Sequence, residues 1–235
     1  MTRRLGIGVV GFGWMGQSHS RGCRRAPAHF PQREYQPDMV VVSDVLESRR
    51  TAAVNDFGFR EAVTDWHEVV SHPDVDVVFV TAPNMLHVEI VEAAAANGKH
   101  VFCEKPLGLG TAESGEMLAA AERSRCVHMT GFNYIRTPAS QLARQIIANG
   151  EIGRVTWFRG EHTEDFCADP AEPASWRTRG RANGNMGDLS PHIINAALAL
   201  MGPIGSLCAE IETVHRTRPV PGGSARHGHA TERNL

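Results

Sequence analysis

A chain of 235 residues can hold one large domain or two small ones, and a hydrophobic content of 42% is that of an ordinary soluble globular protein. With 24 basic and 26 acidic residues the formal net charge is -2, so no broad cationic surface is available for phosphate backbones, and nucleic acid is not an expected partner. The longest apolar run, residues 75–82, is interrupted by Asp76 and falls far short of the roughly 20 residues a membrane helix needs, so the chain is expected to stay off the membrane.

Arg3 and Arg4 precede an apolar stretch, but Gly6, Gly8, Gly11 and Gly13 break it and no cleavage site follows, which favours a first β-strand over a secretion signal. The five cysteines are odd in number, widely spaced and without a Cys-x-x-Cys pair. That pattern argues against a disulfide framework and fits a reducing, cytoplasmic setting. His227 and His229 flank Gly228 in a glycine-rich tail that makes a poor metal cage, and no metal is expected.

Short apolar runs alternate with helical stretches up to about residue 131, the pattern of a parallel sheet covered by helices in the α/β class. Strands are expected over residues 5–10, 39–43, 75–81, 100–103 and 127–130, and helices over 15–25, 47–57, 87–97 and 112–123. The strands are nearly continuously apolar, as strands buried on both faces are. Residues 26–37 carry three prolines and read as a long surface loop. Beyond Gly131 the pattern predicts a helix over 139–148, an alternating strand over 154–161, a Pro-rich loop to 181, a helix over 188–200 and a strand over 207–215. From Arg218 onward the sequence reads as loop or disorder. The expected domains are a nucleotide-binding unit over 1–130 and a partial substrate and catalytic unit over 131–235.

Gly11, Phe12, Gly13, Trp14, Met15 and Gly16 form a G-x-G-x-x-G turn between the first strand and the first helix, the context in which that pattern signals a dinucleotide site. Gly11 permits the tight turn, Gly13 lets the backbone approach a pyrophosphate, and Gly16 allows the helix to pack closely on the sheet. Unpaired N–H groups and the positive end of the helix dipole then face the anion. Asp44 ends the second strand and can accept bonds from the adenosine ribose hydroxyls. It lies farther from the glycines than the usual roughly 20 residues because of the Pro-rich insert. A carboxylate there repels a 2′-phosphate and favours NAD over NADP, although Arg49 and Arg50 stand one turn into the next helix. Thr81, Ala82, Pro83 and Asn84 resemble a second ligand-facing turn, with Asn84 and His87 lining the site or capping the next helix. Glu104, Lys105 and Pro106 follow the strand at 100–103, at the sheet edge where ligands of open α/β sheets bind.

Taken in order, Gly11-x-Gly13-x-x-Gly16, Asp44, Thr81-Ala82-Pro83-Asn84-x-x-His87, Cys103-Glu104-Lys105-Pro106-Leu107 and Gly187-Asp188-x-x-x-His192 resemble the Gfo/Idh/MocA oxidoreductases. Residues 131–139 and 168–177 are most similar to the levoglucosan dehydrogenase-like members. The resemblance implies an NAD-binding Rossmann domain and hydride transfer between a nicotinamide and a secondary alcohol of a sugar or cyclitol. It gives His192 the role of general acid/base and Lys105 that of holding the reacting oxygen, while Asp188 orients the substrate or tunes its neighbours. Glu104 would face the carboxamide end of the cofactor, and Tyr134, Asp165 and Trp176 would line the substrate pocket. Read without the family, Asp188 is also a plausible helix N-cap, an Asp/His pair four residues apart is also ordinary surface polarity, and Trp176 is equally well a packing residue.

The resemblance also implies a second domain with a large open sheet, used by the full-length family form for homo-oligomers. Residues 131–235 supply about two of its strands, which suggests a C-terminally truncated member. A catalytically impaired protein that only binds NAD is therefore the alternative to an active dehydrogenase.

Overall fold

Short valine-rich runs form the strands of a parallel sheet, β1 (Arg3–Val10), β2 (Tyr35–Ser43), β3 (Glu61–Val63), β4 (Val77–Val80), β5 (His100–Cys103) and β6 (His128–Thr130), in the order β3-β2-β1-β4-β5-β6. Between them run α1 (Trp14–His29), α2 (Glu47–Phe57), α3 (Trp66–Ser71), α4 (His87–Ala96) and α5 (Thr111–Ser124). The computed structural model describes residues 2–178, 183–220 and 227–229. The chain divides into two units, Met1–Gly131 and Phe132–Leu235.

Strand alternation assigns the two faces of the first unit. Ile7 and Val9 pack on one side with Phe12, Met39, Val42, Phe57 and Phe59, while Val10 faces Val69, Val78, Val80 and Ile90 on the other. A bulge between Ile7 and Gly8 leaves Val40 as the extra residue of β2, and Val40 and Val41 consequently enter the same cluster. Each fully buried valine contributes about 1.5–3 kcal/mol. Burial also pushes the Cys23 thiol up to about 11 and raises that of Cys103, so both are protonated packing groups.

The expected loop over 26–37 is mostly regular structure. Helix α1 continues through Pro27 to His29, and β2 begins at Tyr35. Pro27 stands in the last turn, where its missing N–H removes one helical bond, and Arg33 Nη1 approaches its carbonyl at 3.0 Å. Pro37 pairs with Leu5, but β3 reaches only Val41–Ser43, so at Pro37 the strand is still an edge and needs no second donor. The periodicity also missed β3 and α3, which are three and six residues long. Their one local signal is Asp65, which caps α3 by accepting from the His67 N–H at 3.0 Å.

In the second unit Thr137 caps α6 (Pro138–Ala148), and α7 (Gly184–Asp188) and α8 (Ser190–Met201) replace the single helix expected over 188–200. Pro191 has no N–H, and Leu189 falls between the two helices. Asp188 is therefore the last residue of α7, and the expected N-cap role is corrected. The segments 154–161 and 207–215 contain no strand. Alternation marks a face, but a strand exists only with a hydrogen-bonded neighbour, and neither segment has one among the described residues. The paired strands are instead β7 (Thr217–Pro219) and β8 (His227–His229), so part of the expected tail is ordered. The rest of that tail, residues 221–226 and 230–235, lies outside the described residues. Arg218 is buried, and its guanidinium reaches the carbonyls of Asp169 (2.8 Å) and Cys167, anchoring the Pro-rich loop.

Two glycines test the packing. A Cβ on Gly6 would lie 1.8 Å from the Asp74 carbonyl oxygen, whereas one on Gly22, exposed in α1, would meet nothing within 4 Å. Gly6→Ala is expected to destabilise by upward of about 2 kcal/mol and Gly22→Ala to stabilise by about 0.5–1 kcal/mol, read from urea midpoints.

Candidate functional site

The strand order reverses between β1 and β4, and the turn after β1 opens at that switch point. Gly11 has φ 87, a value a side chain would strain, and a Cβ on Gly16 would lie 2.2 Å from the Gly11 carbonyl oxygen. A Cβ on Gly13 would meet only Arg49, at 3.7 Å, so the surface above that residue is open. Gly13 is also the N-cap of α1, with no side-chain cap and no acidic residue in the first turn. Several N–H groups there are left for an anion.

Asp44 closes the other side of this turn. Its side chain is 4% exposed. Oδ2 accepts from the Phe12 N–H at 2.8 Å and lies 3.2 Å from Arg49 Nη1, while Oδ1 accepts from the Leu46 N–H at 2.9 Å. The Phe12 ring is fully buried edge-on against Phe57 and Phe59, so Phe12 serves the site through its backbone alone. Trp14 is exposed and Met15 half-buried beside the turn.

The second turn is built differently from the expectation. The Thr81 hydroxyl reaches back to the carbonyls of Val10 and Gly11, tying β4 to the glycine turn. Pro83 precedes a 3-10 turn over Asn84–Leu86, Asn84 is buried, and neither that turn nor α4 has a side-chain cap. His87, expected at the cofactor, is fully buried. Its Nε2 lies 2.9 Å from the Ala82 carbonyl oxygen and its Nδ1 2.9 Å from that of Pro106, and the neutral ring donates to one of the two, so it is held between two turns instead of facing a ligand.

Glu104 is likewise turned inward, with its side chain 8% exposed. Oε1 is 2.7 Å from His19 Nε2, Oε2 accepts from the Lys105 N–H at 3.2 Å, and a Cβ on Gly131 would lie 2.8 Å from Oε1. The carboxylate thus supports the backbone of Lys105 rather than presenting itself to a cofactor. Lys105 is half-buried, and the peptide bond between it and Pro106 is cis. Sequence reasoning missed His19, which packs against Phe79 and Phe102; its one signal is its place a single turn beyond Gly16.

In the second unit the ring of His192 lies 4.6 Å from that of Tyr134, 5.6 Å from that of His162 and 6.1 Å from that of Phe132. Asp188 is 3.4 Å from Arg177 Nε, and Arg177 also stacks over Trp176 at 4.3 Å. Tyr134, His192, Asp188 and Trp176 therefore belong to local clusters, which His162 and Arg177 join without having been expected. Asp165 is exposed in a turn, and no contact places it in either cluster. Among the described residues no group of three or more His, Cys, Asp or Glu could hold a metal ion, and no helix is long and apolar enough to cross a membrane.

Residues 5–132 match the family model described as "Oxidoreductase family, NAD-binding Rossmann fold", and residues 140–231 match the GFO/IDH/MocA C-terminal domain. The chain belongs to the Gfo/Idh/MocA oxidoreductase family. It is 38% identical over 225 residues to levoglucosan dehydrogenase of Pseudarthrobacter phenanthrenivorans, a match covering 95% of this chain and 58% of that protein. It is 30% identical to myo-inositol 2-dehydrogenase of Thermotoga maritima, covering 83% of this chain and 54% of the relative. A solved structure of levoglucosan dehydrogenase in complex with NADH and levoglucosan superposes with a TM-score of 0.89 at 38% identity, over 93% of this chain and 59% of the other. The chain thus spans less than two thirds of each of these relatives.

The buried His87 makes stability depend on pH. Burial lowers its pKa from the usual 6.5, and this outweighs the carbonyls of Ala82, Pro106 and Leu107 and the charge of Glu104, which act the other way. Between its folded value and about 6.5 the unfolded chain binds a proton that the folded chain does not, so stability is full above about pH 6.5 and falls as the pH drops. Wild type should lose up to about 1.4 kcal/mol per pH unit in this window relative to His87→Gln, measured by urea unfolding at a series of pH values.

Proposed function

We propose that this chain carries the machinery of an NAD-dependent dehydrogenase that moves a hydride between a secondary alcohol of a sugar or cyclitol and the nicotinamide. The observation that carries it is the glycine turn at the switch point, with Gly11 at φ 87, an uncapped helix N-terminus and Asp44 at its side. The pyrophosphate takes the N–H groups at Gly13 and the start of α1, and Asp44 accepts from the adenosine ribose. The nicotinamide supplies the hydride acceptor. On this reading the His192 imidazole takes the hydroxyl proton as the carbon is oxidised, Lys105 donates to the oxygen and steadies its developing charge, and Asp188, held by Arg177, orients the substrate. Tyr134 and Trp176 present apolar faces of the kind that pack against sugar rings. The 38% identity to a levoglucosan dehydrogenase and 30% to an inositol dehydrogenase support sugars and cyclitols as the substrate class.

NADH formation is to be followed by absorbance with levoglucosan, myo-inositol and glucose, with NAD binding measured in parallel. Turnover on at least one substrate is expected, and Lys105→Ala or His192→Ala should each lower it by about 10²–10⁴-fold while NAD affinity stays nearly intact. Wild-type turnover in either variant would remove the roles given to these side chains. NAD binding with no turnover on any substrate would instead support the reading of a chain that only binds the dinucleotide.

Asp44 sets the cofactor preference on the same reading. Replacing it with Ser or Arg is expected to shift the ratio of NAD to NADP affinity toward NADP by about tenfold or more, in competition titrations followed by nucleotide fluorescence. An unchanged ratio would exclude Asp44 as the ribose ligand.

A further inference from the structure

Helix α1 brings a largely buried imidazole to the segment that carries Lys105. His19 stands a single turn beyond Gly16, whose close approach to the Gly11 carbonyl fixes the helix against β1, so the place of its ring follows from the glycine turn. The ring packs edge-on against Phe102 at 4.7 Å and tilted against Phe79 at 5.7 Å, and those two phenyl rings stack on each other at 5.0 Å. Its Nε2 lies 2.7 Å from Glu104 Oε1, with the two side chains 18% and 8% exposed. An ionised carboxylate only accepts, so the imidazole carries a proton on Nε2 and donates it to Oε1.

The other oxygen of the same carboxylate holds Lys105. The Glu104 N–H still belongs to the sheet, donating to the Val80 carbonyl at 2.9 Å, whereas the Lys105 N–H has a side chain as its acceptor, Glu104 Oε2 at 3.2 Å. A glutamate has three rotatable torsions, so that acceptor stays in place only while the carboxylate is held elsewhere. His19 holds it through Oε1, and Gly131 closes on it, since a Cβ there would lie 2.8 Å from Oε1.

We infer that His19 is a positioning residue for Lys105, acting through the two oxygens of Glu104; the step rests on reading Lys105 as the donor to the reacting oxygen. A packing role would need only the faces of the ring against Phe79 and Phe102, whereas the positioning role needs its N–H. Without that charge-assisted bond the carboxylate turns toward water and lets go of the Lys105 N–H. The ammonium then starts from a backbone that is no longer fixed, and its donation to the reacting oxygen weakens. NAD is held at the glycine turn, so its affinity is spared.

The test separates donor from ring. His19→Gln keeps an N–H near the place of Nε2 without the aromatic faces, His19→Phe keeps the faces without the donor, and His19→Ala keeps neither. For each, kcat and KM come from NADH formation on a substrate the wild type oxidises, NAD dissociation constants from nucleotide fluorescence, and exchange of the Lys105 amide from NMR. His19→Phe and His19→Ala are expected to lose about 10–100-fold in kcat and to exchange the Lys105 amide about tenfold faster or more, with NAD constants within about twofold of wild type. His19→Gln is expected to stay within about fivefold of wild type in kcat and in that exchange rate. A His19→Phe protein as active as wild type, or a His19→Gln protein as impaired as His19→Phe, assigns the ring to packing and overturns the inference. Lys105 amide exchange that is the same in wild type and all three variants overturns it too, as does NAD affinity that falls in step with kcat. Failure of wild type to oxidise any substrate would instead remove the role given to the Lys105 ammonium, and amide exchange alone would then decide whether His19 fixes this segment.

Discussion

The first unit depends on one close approach, that of the opening turn of α1 to the end of β1. Gly16 lies so near the Gly11 carbonyl that a Cβ would come within 2.2 Å of the oxygen and 3.0 Å of the Thr81 hydroxyl. Thr81 in turn reaches the carbonyls of Val10 and Gly11, so the end of β4 is tied into the same contact. With helix and strand this close, Phe12 is driven inward between Phe57 and Phe59 while its N–H is left aimed at Asp44. A side chain at position 16 would lift the helix, and with it the uncapped N–H groups, the aromatic packing and the Asp44 contact. Core formation and anion binding are consequences of the same short distance.

A second set of constraints converges on the backbone around Lys105. The Glu104 carboxylate holds the Lys105 N–H from one side and His19 of α1 from the other, while His87 takes the Pro106 carbonyl from the α4 side. The segment after β5 is therefore pinned to two helices before any ligand arrives. The Lys105 side chain extends from this fixed backbone. Such an arrangement limits the reorganisation needed when a charge develops nearby, the condition under which a donor is most effective.

The chemistry of the turns was far more legible in the sequence than their supporting contacts. Gly11, Gly13 and Gly16 announce their backbone roles because glycine is selected by geometry, and Asp44 announces itself by ending an apolar strand. Thr81, His87 and Glu104 carry the same kind of polar signal, yet the fold turns their side chains inward. Nothing local separates a histidine that touches a cofactor from one buried between two turns. Partners distant in sequence, such as His19 for Glu104 and Arg177 for Asp188, become visible only once the chain is folded. Alternation misled at 154–161 and 207–215 because it describes one face of a segment, whereas a ladder requires a neighbour. Pro27 and Pro37 misled in the opposite direction, each standing where the donor it lacks costs little.

Asp44, Glu104 and Asp188 differ in element and unit but share one electrostatic solution. Each is largely withdrawn from water, and each has its own cationic or imidazole partner, Arg49, His19 and Arg177 respectively. A carboxylate withdrawn from water is costly without a partner, so the fold gives each of these groups a hydrogen-bonding or cationic neighbour without help from a ligand. A ligand that needs one of these oxygens must then displace a protein group or share it. That competition lowers the affinity available from the carboxylate and raises discrimination, because only a ligand with donors in the right places recovers what the displaced partner supplied. Arg49 is the most exposed of the three partners and His19 the least, which orders them by how readily each is exchanged: the Asp44 pair is built to respond to a ligand, and the Glu104 pair to hold its place.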